Sequence, residues 1–174
     1  MSQATDRMPI GVVVERREID NKWIDHTWQP VAVIPGAPPI HEWRHMVEGD
    51  GWVQYHAATL DIELFAKETE GYRENLLGMQ PAVYVVLRPN TNPEDAHEIE
   101  VFHVTVCPYE AAKFVDTMDD IMESVPMPPE IGAWVREFIE KNHVERPFIK
   151  RQRLPYDPRK GGLGRGGSPG DKNG

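Results

Sequence analysis

The sequence predicts an α+β protein: a mainly antiparallel five-stranded sheet, or a barrel-like version of it, with one short inserted helix and two C-terminal helices packed on it. Three observations lead to this class. Apolar and polar residues alternate in several segments that are separated by turn signals. Consecutive strands joined by short turns pair antiparallel most easily. After Pro108 the apolar residues change to a helical period.

The first two strands are predicted to form a hairpin. Residues 10–15 read IGVVVE, a β-branched run that starts after Pro9 and ends at charged residues. Asp20 and Asn21 indicate a turn. Residues 23–34 alternate loosely, and their VAVI segment is the most strand-like part. Two strands joined by a short polar turn favour antiparallel pairing.

The middle of the chain is predicted to hold three more strands and a short helix. Residues 52–65 alternate most clearly, which is typical of a half-buried antiparallel strand. Residues 66–77 can form a helix, which the following glycine and proline would end. Residues 82–87, AVYVVL, are the most hydrophobic strand and are expected to be central. Residues 99–107 alternate again and complete the sheet.

Two helices are predicted after the last strand. Pro108 suits a first helical position, and acidic residues follow it near the positive helix end. Residues 114–125 carry apolar side chains at helical spacing, and a proline-rich segment then breaks the helix. The second helix has one apolar stripe, formed by Ile131, Trp134, Val135, Phe138 and Ile139.

The predicted domain organisation is one globular domain with two extensions. Residues 1–8 read as a flexible lead-in and residues 9–145 as a single α+β domain. Residues 146–174 read as a basic extended arm with a disordered glycine-rich tail. The arm carries a charge of +6 and the preceding residues −15, within a total of −9. Such asymmetry is typical either of an interaction arm on an acidic body or of a solvated tail.

Composition excludes several classes of protein. The chain has 174 residues, of which 40% are hydrophobic, and it has no apolar run long enough to span a membrane. Its first residues have no signal-peptide core, so we expect a cytoplasmic protein. A single cysteine excludes a disulfide framework. No P-loop or dinucleotide fingerprint occurs, so no cofactor is expected. The acidic body argues against nucleic acid as the main partner.

The motif with the most specific chemistry is His41-Glu42-Trp43-Arg44-His45, which matches the H-E-x-x-H pattern of zinc proteases. On a helix, His41 and His45 would share one face and bind zinc, and Glu42 would activate the bound water. The helix available between the prolines and Gly49 is short, and Arg44 places a cation between the two ligands. We therefore favour a surface segment without a metal, and keep the zinc site as the alternative.

Two further residue types could carry function. Cys107 directly precedes a predicted helix, whose N-terminus can activate a thiol, yet VTVC reads as the buried end of a strand. A structural cysteine is the favoured interpretation. Trp23, Trp28, Trp43 and Trp52 flank the early turns and could form a cluster for a ligand or a partner, although packing at the edge of the core is the more common role of tryptophan.

Long stretches of the chain resemble a known family. They are MPIGVVVERREIDNKWIDHTWQPVAVIPGAP, KETEGYRENL, PAVYVVLRP and ESVPMPPEIGAWVREFIEKNH followed by PFIKRQR, and together they span roughly residues 8–157. These stretches resemble a bacterial family called domain of unknown function 3305. Genes of that family tend to lie beside those of molybdenum-dependent formate dehydrogenases and their maturation factors. The resemblance therefore implies a role near that enzyme.

The function expected from these observations is that of a non-catalytic accessory or adaptor protein. It would bind a molybdoenzyme subunit or a maturation factor and assist assembly of a formate dehydrogenase. The expected contacts are Trp23, Trp28, Lys150, Arg151 and Arg153. A small zinc-dependent hydrolase that uses the H-E-x-x-H motif is the first alternative. A pterin- or nucleotide-binding module, with aromatic rings stacked on the ligand and the basic arm holding phosphate, is the second.

Overall fold

The computed structural model describes residues 6–117 and 119–142 and contains two antiparallel sheets. The first sheet has the order β2-β1-β4-β3. Its strands are β1 (Asp6–Glu18), β2 (His26–Pro35), β3 (Arg44–Gly49) and β4 (Trp52–Leu64). β1 is buried through its centre, where Ile10, Val12 and Val14 are fully inaccessible to solvent. This continuous β-branched run places β1 inside the sheet, between β2 and β4.

The second sheet has the order β6-β5-β7. Its strands are β5 (Ala82–Pro89), β6 (Ile99–Thr105) and β7 (Ile121–Pro126). β5 is the central strand, as its apolar sequence predicts, and its Val83, Val85 and Leu87 are fully buried. β2 lies near β7 and β4 lies near β6, so the two sheets enclose a shared core without closing into a barrel.

Three helices complete the described part of the chain. A 3₁₀ turn (Ala66–Glu68) leads into α1 (Thr69–Leu77), while α2 (Pro108–Ala112) is a single short turn and α3 (Pro129–Asn142) is the longest. α1 and α3 contribute Tyr72, Ile131, Val135 and Phe138 to the same buried cluster as both sheets. Burial of each such side chain stabilises the fold by about 1.5–3 kcal/mol.

The α+β class is confirmed, but the single five-stranded sheet is wrong. Residues 6–117 and 119–142 form seven strands in two sheets, because residues 44–49 and 121–126 are strands that the sequence pattern does not predict. The helix predicted over residues 114–125 is also wrong: α2 ends at Ala112, and β7 pairs with β5 from Leu87↔Ile121 to Ala82↔Pro126. The open edge of β5 gives this segment hydrogen-bond partners that a helix would not use. The second C-terminal helix is confirmed as α3.

The predicted hairpin is confirmed, and it carries an irregularity that affects the site. β1 and β2 pair antiparallel from Ile10↔Pro35 to Glu18↔His26, with a register shift between Val13 and Val14. The shift leaves Val31 as an extra residue in β2 beside Pro30, where a missing backbone donor is tolerated. Beyond this bulge, Trp28 lies opposite Arg16 at the end of the sheet that also carries the hairpin loop.

Candidate functional site

The tip of the β1–β2 hairpin presents an exposed tryptophan. Trp23 is 88% exposed, and its neighbour Ile24 is 51% exposed. The Ile19 N–H donates to the Asp25 carbonyl at 3.0 Å, which closes the loop. The Trp23 N–H donates to Asn21 Oδ1 at 2.9 Å, an Asx turn that sets the backbone direction at the tip. Local hydrogen bonds therefore organise the loop that holds both apolar side chains in water.

The β3–β4 turn lies beside this loop. The Glu18 N–H donates to the Gly51 carbonyl at 2.8 Å, and Arg17 pairs with Trp52 across β1 and β4. Gly51 has φ of 79°, a left-handed conformation that favours glycine and makes the sharp turn after Asp50 possible. The two turns thus form one end of the first sheet, which we call the hairpin end.

Four half-buried rings pack together next to the hairpin end, and we call them the four-ring cluster: Trp28, Trp43, Tyr55 and His97. The His97 imidazole stacks on the Trp43 indole with ring centroids 3.8 Å apart and an interplanar angle of 12°. Trp28 is perpendicular to both of these rings, at 5.4 Å from Trp43 and 6.0 Å from His97. Tyr55 is tilted against His97 at 5.3 Å.

His97 reaches this cluster from the loop that joins β5 to β6. The adjacent Glu98 accepts a hydrogen bond from His26 Nε2 at 2.6 Å, and His26 Nδ1 lies 3.3 Å from Arg16 Nη2. Burial lowers the pKa of His97, the positive charge of Arg16 lowers it further, and Asp95 opposes both effects. The uncharged imidazole is therefore favoured inside the cluster.

One polar atom of the cluster lacks a partner. Trp28 Nε1 is buried and has no hydrogen-bond partner among the described residues. By comparison, the half-buried Trp134 indole of α3 donates from Nε1 to Asp6 Oδ2 at 2.8 Å. A buried donor without an acceptor costs about 1–3 kcal/mol, so the Trp28 N–H is an available hydrogen-bonding group within the aromatic surface.

The structure separates the tryptophans that the sequence groups together. Trp28 and Trp43 meet in the four-ring cluster, whereas Trp23 stands in solvent at the loop tip and Trp52 packs against Gly49. Tyr55 and His97 were not predicted as site residues. Tyr55 lies in a strand that alternates clearly, so its side of the sheet could have been deduced, but a histidine in a polar loop gives no periodic signal.

The H-E-x-x-H segment is extended, so the helix required by the zinc alternative does not form. His41 and Glu42 lie in a bend, and His45 lies in β3 opposite Tyr55. His45 Nε2 is 3.5 Å from Glu48 Oε2 on the exposed strand. Within residues 6–117 and 119–142, no group of three or more histidine, cysteine or carboxylate side chains is placed to hold a metal ion.

The interpretation of Cys107 as a structural residue agrees with its position. The thiol is 2% exposed, and burial raises its pKa, although the backbone N–H groups of Glu110 and Tyr109 partly oppose this effect. A thiol that stays protonated is a poor nucleophile. Cys107 therefore belongs to the core, directly before α2.

A hydrogen-bonded group beside Cys107 was not predicted. Glu110 of α2 accepts from His103 Nε2 and from Thr105 Oγ1, the latter at 3.1 Å. The His103 hydrogen bond holds the Glu110 pKa below its usual range, and Thr105 contributes in the same direction. These hydrogen bonds hold the single turn of α2 against β6. The spacing of residues 103, 105 and 110 matches no known sequence motif, so the group could not be predicted.

The basic residues predicted for partner binding, Lys150, Arg151 and Arg153, lie outside the described residues, as does the whole predicted arm. In the part of the chain that the structure describes, none of the helices is both long and apolar enough to cross a membrane.

Comparison with known proteins places the chain in a family. Residues 9–152 match the family described as "Protein of unknown function (DUF3305)", and the protein belongs to this family. No curated protein matches the chain. No solved structure matches it either. The expectation of the family from sequence is thereby confirmed, and the function has to be argued from the residues themselves.

Proposed function

We propose that this protein is a non-catalytic accessory protein that binds another protein through the hairpin end. The observation that carries the proposal is the presentation of Trp23, 88% exposed beside the half-exposed Ile24, on a loop closed by its own hydrogen bonds. Tryptophan is enriched among the residues that dominate binding energy at protein interfaces.

The organisation of the loop supports a binding role for Trp23. Single apolar residues on a surface are common and need no explanation. Trp23 differs because its backbone is fixed by the Asn21 side chain and the loop is closed between Ile19 and Asp25. A partner that covers the indole would order little additional chain, so the entropic cost of binding is low. Burial of such a side chain contributes about 2 kcal/mol or more to an interface.

The proposed partner is a subunit or maturation factor of a molybdenum-dependent formate dehydrogenase. The suggestion comes from the gene neighbourhood that the family resemblance implies, and the accessory role would be to assist assembly of that enzyme. Lys150, Arg151 and Arg153 would add electrostatic attraction to an acidic partner surface. The extended H-E-x-x-H segment does not support the zinc-hydrolase alternative.

The test is complementation of a gene-deletion strain. Deletion should lower formate dehydrogenase activity and leave the transcript of that enzyme unchanged. The wild-type gene should restore the activity, whereas Trp23→Ala should restore less than about a tenth of it, the effect of losing roughly 1.4 kcal/mol or more of binding. Met79→Ala is the matched control, because Met79 is an exposed apolar side chain on the α1–β5 loop.

Affinity purification tests the physical contact. The wild-type protein and the Met79→Ala variant should co-purify a formate dehydrogenase subunit or maturation factor, identified by mass spectrometry, and the Trp23→Ala variant should not. Unchanged enzyme activity in the deletion strain, or equal recovery of the partner with Trp23→Ala, would contradict the proposal.

A further inference from the structure

The stacked pair of Trp43 and His97 is the starting point for an inference beyond the proposed protein-binding role. A flat nitrogen heterocycle, the His97 imidazole, lies nearly parallel to the Trp43 indole at 3.8 Å between centroids, and Trp28 and Tyr55 also contact it. His97 comes from a loop of the second sheet, whereas the other three rings belong to β2, β4 and the segment before β3. Trp43, next to the first sheet, therefore provides a flat aromatic face, and His97 of the β5–β6 loop covers that face.

Among the described residues, few interactions outside the four-ring cluster hold His97 in this position. Residues 91–96 of the loop are all exposed, and the hydrogen bonds of Asn90 and Asn92 with Asp95 and Glu94 are local to the loop. Besides the stacking of His97, the described side chains join this loop to the first sheet through the hydrogen bond between Glu98 and His26, in which the Glu98 side chain is 65% exposed and the His26 side chain 17% exposed. The Glu98 end of this hydrogen bond is exposed to solvent, which weakens its contribution. Another ring of similar chemistry can therefore compete with His97 for the same position.

We propose that the Trp43 face binds the uncharged planar nitrogen heterocycle of a nucleobase-type ligand, which displaces His97. The indole N–H of Trp28 also supports this proposal. It is buried and has no hydrogen-bond partner among the described residues, so it can donate to a ring nitrogen or carbonyl oxygen of the ligand. Stacking of bases on aromatic side chains tolerates different ring systems because every base has a flat π face. The four rings are all half-buried, so the cluster reaches the surface.

The charges around the cluster favour an uncharged ligand. Asp95 acts on His97 electrostatically, and Glu98 lies next to it on the loop, so two carboxylates accompany the occupied position. Arg16, the nearby cation, is within 3.3 Å of the His26 ring. A phosphate group would meet repulsion from the carboxylates and would not find Arg16 free. We therefore expect a nucleoside or free base to bind better than its phosphorylated form.

Calorimetric titration of the full chain with adenosine tests the inference. Removal of the competing ring in His97→Ala should tighten adenosine binding by about tenfold relative to wild type, since a stacked ring pair stabilises by roughly that factor. Trp43→Ala, made in the His97→Ala background, should abolish the binding, and Trp43→Phe should retain part of it. His41→Ala is the matched control, because His41 is an exposed histidine in the bend before β3, and it should bind like wild type.

The outcomes separate this inference from its competitors. If His97→Ala does not fold, as judged by its circular dichroism, His97→Gln replaces it and should give the same tightening. Equal adenosine affinity of the wild type and both His97 variants would contradict the displacement of His97 by the ligand. Absence of adenosine binding to a folded His97 variant would contradict the proposed binding site on Trp43. Binding of choline in place of adenosine would show a cation cage and also overturn the proposal. Trp23→Ala should leave adenosine affinity unchanged, so the result does not depend on the proposed protein partner.

Discussion

At the scale of single residues, Asn75 is a buried polar side chain that joins separate elements of the fold. It is 6% exposed, and its amide N–H groups donate to the carbonyls of Ala82 and Val106 at 2.8 Å each. Its Oδ1 accepts from the Ala82 N–H at 2.9 Å. One side chain thus connects the last turn of α1 with the start of β5 and the chain just beyond β6.

Replacement of Asn75 should therefore be costly. Asn75→Ala removes three hydrogen bonds and leaves buried backbone groups of Ala82 and Val106 without their partner, so we expect a loss of about 2–4 kcal/mol in the free energy of unfolding. Urea denaturation measures the change. Asn142→Ala is the control: within residues 6–117 and 119–142, Asn142 donates to the Phe138 carbonyl in α3, and the loss of this bond should cost less than about 1 kcal/mol. Equal effects of the two substitutions would contradict this account.

At the scale of elements, two helical glycines have opposite surroundings. A Cβ at Gly71 in α1 would lie 2.8 Å from the Cys107 sulfur and 3.2 Å from Tyr109 Cδ2, closer than side chains approach each other. A Cβ at Gly132 in α3 would meet Met127 Sδ at 3.7 Å, an ordinary contact. Gly71 therefore allows α1 to pack closely on Cys107, whereas Gly132 serves no such purpose.

The same substitution should change stability in opposite directions at these two positions. Gly71→Ala should lower the free energy of unfolding by about 1–2 kcal/mol, because overpacking against a buried sulfur exceeds the gain in helix propensity. Gly132→Ala should raise it by about 0.5–1 kcal/mol through helix propensity alone. Thermal and urea unfolding of both variants measure the difference, and a stabilised Gly71→Ala would show that α1 does not pack on Cys107 as described.

Elements could be predicted from sequence where one side of the element is buried. β1, β4 and β5 show buried or alternating runs, and α3 shows an apolar stripe, because the core contacts one face of each. β7 could not be predicted, since only Val125 of its six residues is buried and the apolar residues fit a helical period equally well. Its pairing with β5 decides its structure, and its start is fixed by Arg88, which donates from two nitrogens to Asp120 at 2.9 and 3.0 Å.

The candidate sites could be predicted only in part for a related reason. A tryptophan beside a turn signal, Asp20-Asn21, makes Trp23 a reasonable candidate from sequence alone. The stacking of His97 on Trp43 depends on where the β5–β6 loop crosses the first sheet, and that crossing follows from the packing of two sheets that the sequence did not separate. Contacts between distant elements are a property of tertiary structure and leave no local pattern.

At the scale of the whole molecule, the stability contributed by the contact between the β5–β6 loop and the first sheet should depend on pH. The pKa of His97 is lowered in the folded state by burial among Trp28, Trp43 and Tyr55 and by Arg16, against the opposing charge of Asp95. Below the ordinary histidine value of about 6.5 the unfolded chain binds a proton that the folded chain resists. The contribution of His97 is therefore complete above that value and is lost as the pH falls below it, through the lower pKa of the folded protein.

Unfolding measured at several pH values tests this dependence. The stability of the wild type should fall more steeply than that of His97→Gln as the pH decreases from 7 to 5.5, because the variant has no proton to bind at this position. Since the other six histidines are common to both proteins, the difference between the two curves isolates His97. Parallel curves would show that the imidazole is as easily protonated in the folded protein as in the unfolded chain.

β3, one of the two edge strands of the first sheet, has a consequence for behaviour at high concentration. All six of its residues are exposed, and the register shift between His45 and Val47 makes Met46 an extra residue in the strand. An unprotected sheet border invites fibril growth, in which copies of a chain add to one another through their backbones. The bulge at Met46 and the charges of Arg44 and Glu48 interrupt the straight row of backbone donors and acceptors that such growth requires. The apolar side chains of Met46 and Val47 can therefore be exposed to water without making β3 a template for amyloid.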